Sequence, residues 1–340
     1  MTMQLQPETL RHLDELERLN LADDGIWGLP EGALCHTPNL QSLNLSRNNI
    51  VEVSEIGLSG NICQLLHLKS LDLSFNKISS FLPGDLSLFP GLSNLDLRGN
   101  HLSVLSPTSL SSLWSLAHLD LSDNNLAALP PTIFQQSSNL QKLFIQNNSL
   151  SLLSPDLFSG LDNLLLLNIS RNDISSHLLS HQIFDSLTKL VALDLSHNSL
   201  TKLDGELLNR QQSLQILNLQ HNHLSNIESG SLSPFLNLHF LLLSNNQLTS
   251  LPPSSLASLA SLSSLSLDQF PQLSATCKLT SSNKNHLAAI HLTITHLIAT
   301  QLCLAVQRPP QTQVITVLLL KHRLEPLRVH LLAHLLKQSS

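Results

Sequence analysis

Nine asparagines recur in one phase along the chain: Asn48, Asn76, Asn100, Asn124, Asn148, Asn172, Asn198, Asn222 and Asn246. The gaps between them are 28, 24, 24, 24, 24, 26, 24 and 24 residues, a fixed period with two short insertions. Each closes the same string, L-x-x-L-x-L-x-x-N-x-L, as in Leu40, Leu43, Leu45, Asn48 and Ile50. An earlier copy, Leu16, Leu19, Leu21, Asp24 and Ile26, carries aspartate for asparagine. One unit of this length cannot bury its own apolar set, so neighbouring units must stack and the domain count suggested by length does not apply. The 86 leucines among 340 residues, against twelve aromatics, fit such stacking and exclude a disordered tail or a small disulfide scaffold.

In L-x-L the two leucines flank a residue that must point the other way, so a short strand buries the leucines and turns the middle residue to solvent. The asparagine falls where the chain leaves the strand, and its amide can satisfy backbone groups that the turn leaves unpaired. Thirteen residues after each first leucine stand Leu29, Val53, Phe81, Leu105, Leu129, Leu153, Leu203, Ile227 and Leu251, which fill the far half of the coil. Further pairs follow, such as Leu110 with Leu113, Phe158 with Leu161, and Leu256 with Leu259. The pattern is identified as the leucine-rich repeat. The expected fold is an α/β solenoid, a horseshoe of about 10 repeats with parallel strands on its concave face, roughly 50 Å along that face. The 24-residue coil, with turns begun by proline as in Leu251-Pro252-Pro253, resembles the typical subclass found in extracellular and receptor proteins.

The chain divides into an edge segment at 1–15, the repeats at 16–268 and a tail at 269–340. Residues 1–270 carry 11 Lys+Arg against 23 Asp+Glu, whereas residues 271–340 carry 7 against 1. The eleventh copy begins with Leu262, Leu265, Leu267 and Asp268, but Phe270 stands where asparagine is due. The tail has no Gly or Asp and restores no period, which fits a shifted reading frame or retained intron near Gln269 better than a genuine divergent region. Its stretch from Asn285 to Gln307 lacks charged residues and is long enough to cross a bilayer, yet holds His286, His291 and His296. The start shows no basic region followed by an apolar run and a small-residue cleavage site. Flanking cysteine clusters are absent too, so the chain is expected to be a fragment.

Cys35 and Cys63 each precede the first leucine of a coil by five residues, so they share one phase in consecutive coils, about 5 to 6 Å apart. A disulfide is expected there; two separate buried thiols are the alternative. N-x-S sequons stand at Asn44, Asn147 and Asn168, although the repeat pattern itself writes N-L-S and N-I-S. A glycan on Asn44 or Asn168 would sit on the strand face.

The candidate ligand face comprises Asp72, Asp96, Asp120, Phe144, Arg171, Asp194, His197 and His221. Asp72, Asp96 and Asp120 occupy one column in consecutive coils, a stripe suited to a basic ligand or merely the repeat consensus on a solvated face. His197 and His221 are equivalent positions in adjacent coils, with Arg171 one coil earlier. They could sense pH, or bind metal with Asp194, but two histidines are too few to define a metal site. His177 and His181 read as surface residues. No phosphate loop, H-E-x-x-H or G-x-S-x-G occurs, so neither an enzyme nor a cofactor is expected. The acidic repeats argue against nucleic acid.

The run Leu29-Pro30-Glu31-Gly32-Ala33-Leu34-Cys35, the repeat at 39–59, and Cys63 ahead of LKSLDLSFNKIS resemble the early ectodomain of invertebrate Toll receptors. IFDSLTKLVALDLSHNSLTKLD at 183–204, after the longer repeat containing Ser175-Ser176-His177, extends that resemblance over residues 5–268. It implies a single-pass cell-surface receptor of innate immunity or development. Its repeats would bind a cystine-knot protein ligand or another receptor, with dimerisation on ligand binding, and its cytoplasmic TIR domain would recruit adaptors. No TIR sequence is present. A free-standing repeat scaffold or decoy remains the alternative, and oxidised cysteines or an occupied sequon would distinguish the receptor reading from it.

Overall fold

The computed structural model describes residues 6–56, 65–81, 84–180, 182–203, 205–228, 230–249, 251, 256 and 258–267. Cys63, Pro252, Pro253, His181 and the whole tail from residue 268 onward, with its candidate span at 285–307, lie outside that set. The strands are β1 (Arg18–Asn20), β2 (Ser42–Asn44), β3 (Ser70–Asp72), β4 (Asn94–Asp96), β5 (His118–Asp120), β6 (Lys142–Phe144) and β7 (Leu166–Asn168). They continue with β8 (Ala192–Asp194), β9 (Lys202–Leu203), β10 (Ile216–Asn218), β11 (Asn226–Ile227), β12 (Phe240–Leu242) and β13 (Ser264–Ser266). Eleven of them form one parallel sheet in the order β1-β2-β3-β4-β5-β6-β7-β8-β10-β12-β13. The register places Leu43 opposite Leu71 and Leu71 opposite Leu95, each coil one period after the last. The eleventh copy keeps its strand, with Phe240 opposite Ser264, although no asparagine follows it. β9 and β11 make a second parallel pair in two successive coils.

Strand leucines turn inward and meet the residues of the far wall, giving one continuous apolar core along the stack. Leu29, Val53, Phe81, Leu105, Leu129, Leu153, Leu203 and Ile227 are buried there, and Leu251 is half-buried. The convex side is built of turns, with short 3-10 segments at Pro7–Leu10, Ala33–His36, Val53–Ile56 and Asp85–Leu88. Beneath it Phe134, Phe158 and Phe184 stack in consecutive coils, with centroids 6.4 and 5.9 Å apart and planes within 16° and 12°. Polar residues enter this wall as well: Thr37 Oγ1 donates to the Leu34 carbonyl at 2.9 Å and Gln211 Nε2 to that of Phe184 at 2.7 Å, whereas the equivalent Ser137 Oγ is buried without a hydrogen-bond partner.

The nine phased asparagines form a hydrogen-bond ladder. Asn124 Nδ2 donates to the carbonyls of Leu97 and Leu121 at 3.0 and 3.1 Å, and its Oδ1 accepts the Leu102 N–H at 3.0 Å. The bonds to Leu97 and Leu102 tie this coil to the coil before it, and the bond to Leu121 closes the turn within its own coil. The same pattern begins at Asn48, which reaches Leu21 and Ile26, and ends at Asn246, which reaches Leu219 and Leu224. A second, partial series went unread in the sequence. Asn39, Asn139, Asn163 and Asn237, each just before a first leucine, donate to carbonyls 25 residues earlier at 2.8 to 3.0 Å.

Candidate functional site: the concave strand face

Residues that alternate with the buried leucines form columns across the sheet. One column runs Asn20, Asn44, Asp72, Asp96, Asp120, Phe144, Asn168, Asp194, Asn218, Leu242 and Ser266, each opposite the next. It gathers Asp72, Asp96, Asp120, Phe144 and Asp194 as the sequence placed them.

Local chemistry explains the acids and amides in that column. Asp72 accepts the Ser74 N–H, Asp96 the Arg98 N–H, Asp120 the Ser122 N–H and Asp194 the Ser196 N–H, all at 2.9 Å. Asn44, Asn168 and Asn218 accept from the residue two ahead in the same way. These Asx turns end each strand, because a short side-chain acceptor captures the next free N–H and bends the chain out of the sheet. The acidic stripe is therefore in part a turn device. Its charge is also reduced: burial pushes Asp96 up to about 7, with Asp120 and Asp72 adding to the rise, while Arg98 opposes it. Burial likewise raises Asp120 and Asp194 above the ordinary carboxylate value, against the hydrogen bonds they accept.

Phe144 breaks the series, offers no acceptor, and sets its ring 5.3 Å from that of His118 on the neighbouring strand. From β7 onward the parallel outward column turns apolar, through Leu166, Ala192, Ile216 and Phe240. Leu166 and Ala192 are only 3% and 2% exposed. Ile216 and Phe240, half-exposed, therefore give the later coils an apolar strip beside Asp194, whereas Asp72, Asp96 and Asp120 make the earlier coils acidic.

Arg171, His197 and His221 belong to another column, at the edge of this face. The residue before each ladder position has positive φ in every coil from Asp23 to Asn245: Asp23, Arg47, Phe75, Gly99, Asp123, Asn147, Arg171, His197, His221 and Asn245. The left-handed turn aims each N–H at the following coil, as Asp123 donates to the Gln146 carbonyl at 3.0 Å and His197 to that of Gln220 at 2.9 Å. Asn, Asp, His and Gly dominate the column because they tolerate this region best. Arg47, Phe75 and Arg171 are the exceptions, and Phe75 is held between the guanidiniums of Arg47 and Arg98 at 4.8 and 5.6 Å. Its ring lies over Gly99, where a Cβ would come within 2.5 Å of it. Arg98 then pairs with Asp123 at 2.6 Å, and Asn147 donates to Asp123 at 2.7 Å. Asp194 stays in the strand column, and among the described residues no three His, Cys, Asp or Glu side chains gather for a metal.

Asn168 is 5% exposed, and its Oδ1 accepts from the Ser170 N–H and hydroxyl. That corrects the expectation of a glycan there, because the linkage needs a solvent-facing amide. Asn44 is half-buried and Asn147 exposed. Cys35 is disulfide-bonded, and its expected partner Cys63 lies outside the described residues. His177 is exposed. No described helix is long and apolar enough to cross a membrane.

A family model described as leucine rich repeat matches residues 14–61, 67–126, 114–174, 177–224 and 212–269, most of the chain. The chain belongs to the leucine-rich repeat family. Toll-like receptor 7 of Drosophila melanogaster is 36% identical over 85 residues, which are 23% of this repeat protein and 6% of that receptor. The glycosylated form of the Drosophila Toll–Spatzle complex matches with a TM-score of 0.68 at 27% identity, covering 79% of this chain and 37% of that one. An assembly of Latrophilin 3, Unc5D and FLRT2 matches with a TM-score of 0.67 at 23% identity, covering 78% of both chains, and shows the shared fold. The repeat protein thus spans a small part of the Toll-related chains. Its relatives are leucine-rich-repeat receptors, and the repeat solenoid is an interaction scaffold for protein binding.

Proposed function

We propose that this chain is the ligand-binding repeat region of a Toll-like cell-surface receptor, acting in innate immune or developmental signalling through partners beyond these repeats. The observation that carries the reading is the continuous concave sheet, whose outward columns change from acidic at Asp72, Asp96 and Asp120 to apolar at Ile216 and Phe240. Such a face contacts an extended protein surface rather than a small molecule. The similarity to Toll in its complex with Spatzle supports a cystine-knot protein ligand, with pairing of two receptors on it. A Cys35–Cys63 disulfide and a glycan on Asn147, clear of the strand column, fit the extracellular side of the plasma membrane.

The test is surface plasmon resonance of the secreted full chain against Spatzle, with Phe144→Ala and Asp120→Lys beside a control, Trp114→Ala, an exposed residue in the turn before β5 and outside the strand columns. Binding weakened tenfold or more by the first two and unchanged by the third supports the reading. Loss through Trp114→Ala alone would move the ligand off the strand face. Free thiols at Cys35 and Cys63, with no binding and no glycan, would favour a free-standing repeat scaffold.

A further inference from the structure

The left-handed column brings Arg171, His197 and His221 into three consecutive coils at one edge of the concave face. Backbone bonds fix that spacing: the N–H of Arg171 donates to the Ser196 carbonyl at 2.9 Å, that of His197 to Gln220 at 2.9 Å and that of His221 to Ser244 at 3.0 Å. The imidazoles stack with centroids 4.0 Å apart and planes within 11°. His221 Nε2 lies 3.1 Å from Asn245 Nδ2 of the next coil.

The charged and titratable groups facing the stack are Arg171 from the preceding coil and Asp194 from His197's own coil. Asp194 cannot neutralise the cluster freely, because its oxygens are engaged by the Ser196 N–H at 2.9 Å and by Asn218 Nδ2 at 3.1 Å. Burial also holds its proton longer than usual. No carboxylate lies within ion-pair distance of the Arg171 guanidinium among the described residues. Desolvation, His221 and Arg171 together push His197 down to about 4. Three groups that can carry positive charge therefore stand side by side, with Asp194 interacting with Arg171 and with His197 held neutral by burial and by its two neighbours. A guanidinium beside two stacked imidazoles supplies the donor types that an oxyanion takes, and an anion bound there would favour protonation of the rings.

We propose that Arg171, His197 and His221 form a binding site for an oxyanion carried by a ligand, a carboxylate or a sulfate or phosphate group, and that filling it draws a proton onto the histidine pair. The proton comes from solvent, so affinity rises as pH falls. The site lies beside the strand columns and does not depend on the receptor reading.

Histidine ε1-proton NMR on the full chain tests this, with resonances assigned through His197→Asn and His221→Asn. Sodium sulfate, phosphate and acetate are titrated against sodium chloride at equal ionic strength. The expected result is an upward move of the His197 midpoint from about 4 by about one pH unit with at least one oxyanion, and affinity about fivefold tighter at pH 4 than at pH 7.5. Arg171→Ala should abolish the move while its circular dichroism stays that of the wild type. Preference for acetate assigns a carboxylate ligand, and preference for sulfate or phosphate a tetrahedral one. No move beyond chloride, or an equal move in Arg171→Ala, would overturn the proposal.

Discussion

Replacing Asp96 by asparagine should make the protein more stable above pH 7. Asp96 sits on β4 between Asp72 and Asp120 of the adjoining strands, and its Oδ1 accepts the Arg98 N–H at 2.9 Å. Burial first, and the two flanking carboxylates after it, raise it from an ordinary 3.8 to about 7. The folded state therefore keeps a proton that the unfolded chain has released. Stability contributed by this group is full below about pH 4, declines as pH rises toward 7, and stays at its lower level above that. The gap between 3.8 and about 7, at about 1.4 kcal/mol per pH unit, caps the cost near 4 kcal/mol. Partial solvent contact and the nearby Arg98 charge reduce it to roughly 1–3 kcal/mol. Asparagine keeps the turn acceptor, as Asn44 and Asn218 do at equivalent positions, and carries no charge. Urea denaturation followed by circular dichroism should give Asp96→Asn a higher midpoint than wild type at pH 8 and the same midpoint at pH 4, with equal slopes. A variant that is neutral or less stable at pH 8, or whose advantage persists unchanged at pH 4, would refute the reasoning.

Asn124→Ala would leave the carbonyls of Leu97 and Leu121 and the N–H of Leu102 buried without their partner, costing about 3–5 kcal/mol in equilibrium denaturation. A loss under about 1 kcal/mol would mean that water replaces the rung. Phe158→Ala removes the middle of the Phe134–Phe158–Phe184 stack and should cost about 3–5 kcal/mol, whereas Phe144→Ala on the concave face should stay within about 1 kcal/mol. Thermal melts that rank the two in the opposite order would contradict the assigned faces. Peptide mass spectrometry after secretion from a eukaryotic host should find glycan on Asn147 and none on Asn168, since the latter is 5% exposed; a glycosylated Asn168 would show that its burial is wrong.

The repeat period alone determined the coil, because leucines at fixed spacing can be buried together only by stacking one coil on the next, and an asparagine at each exit from the strand can bond its own turn to the coil before it. The inward leucines, the far-wall residues and the ladder from Asn48 to Asn246 were legible for that reason, as was the outward column holding Asp72, Asp96 and Asp120. Tertiary structure decided the rest. A sequence column does not show that its aspartates cap strand ends, or that burial raises Asp96, Asp120 and Asp194, since that depends on depth and on which N–H comes within reach. It did not reveal that Phe75 needs Gly99 beneath its ring, or that Asn39, Asn139, Asn163 and Asn237 bond across coils, because these contacts join residues about 24 to 25 apart. Arg171, His197 and His221 were seen as neighbours in phase. Only the left-handed turn shared by successive coils set them in a column of their own, where backbone geometry rather than side-chain preference fixes how closely their charges approach.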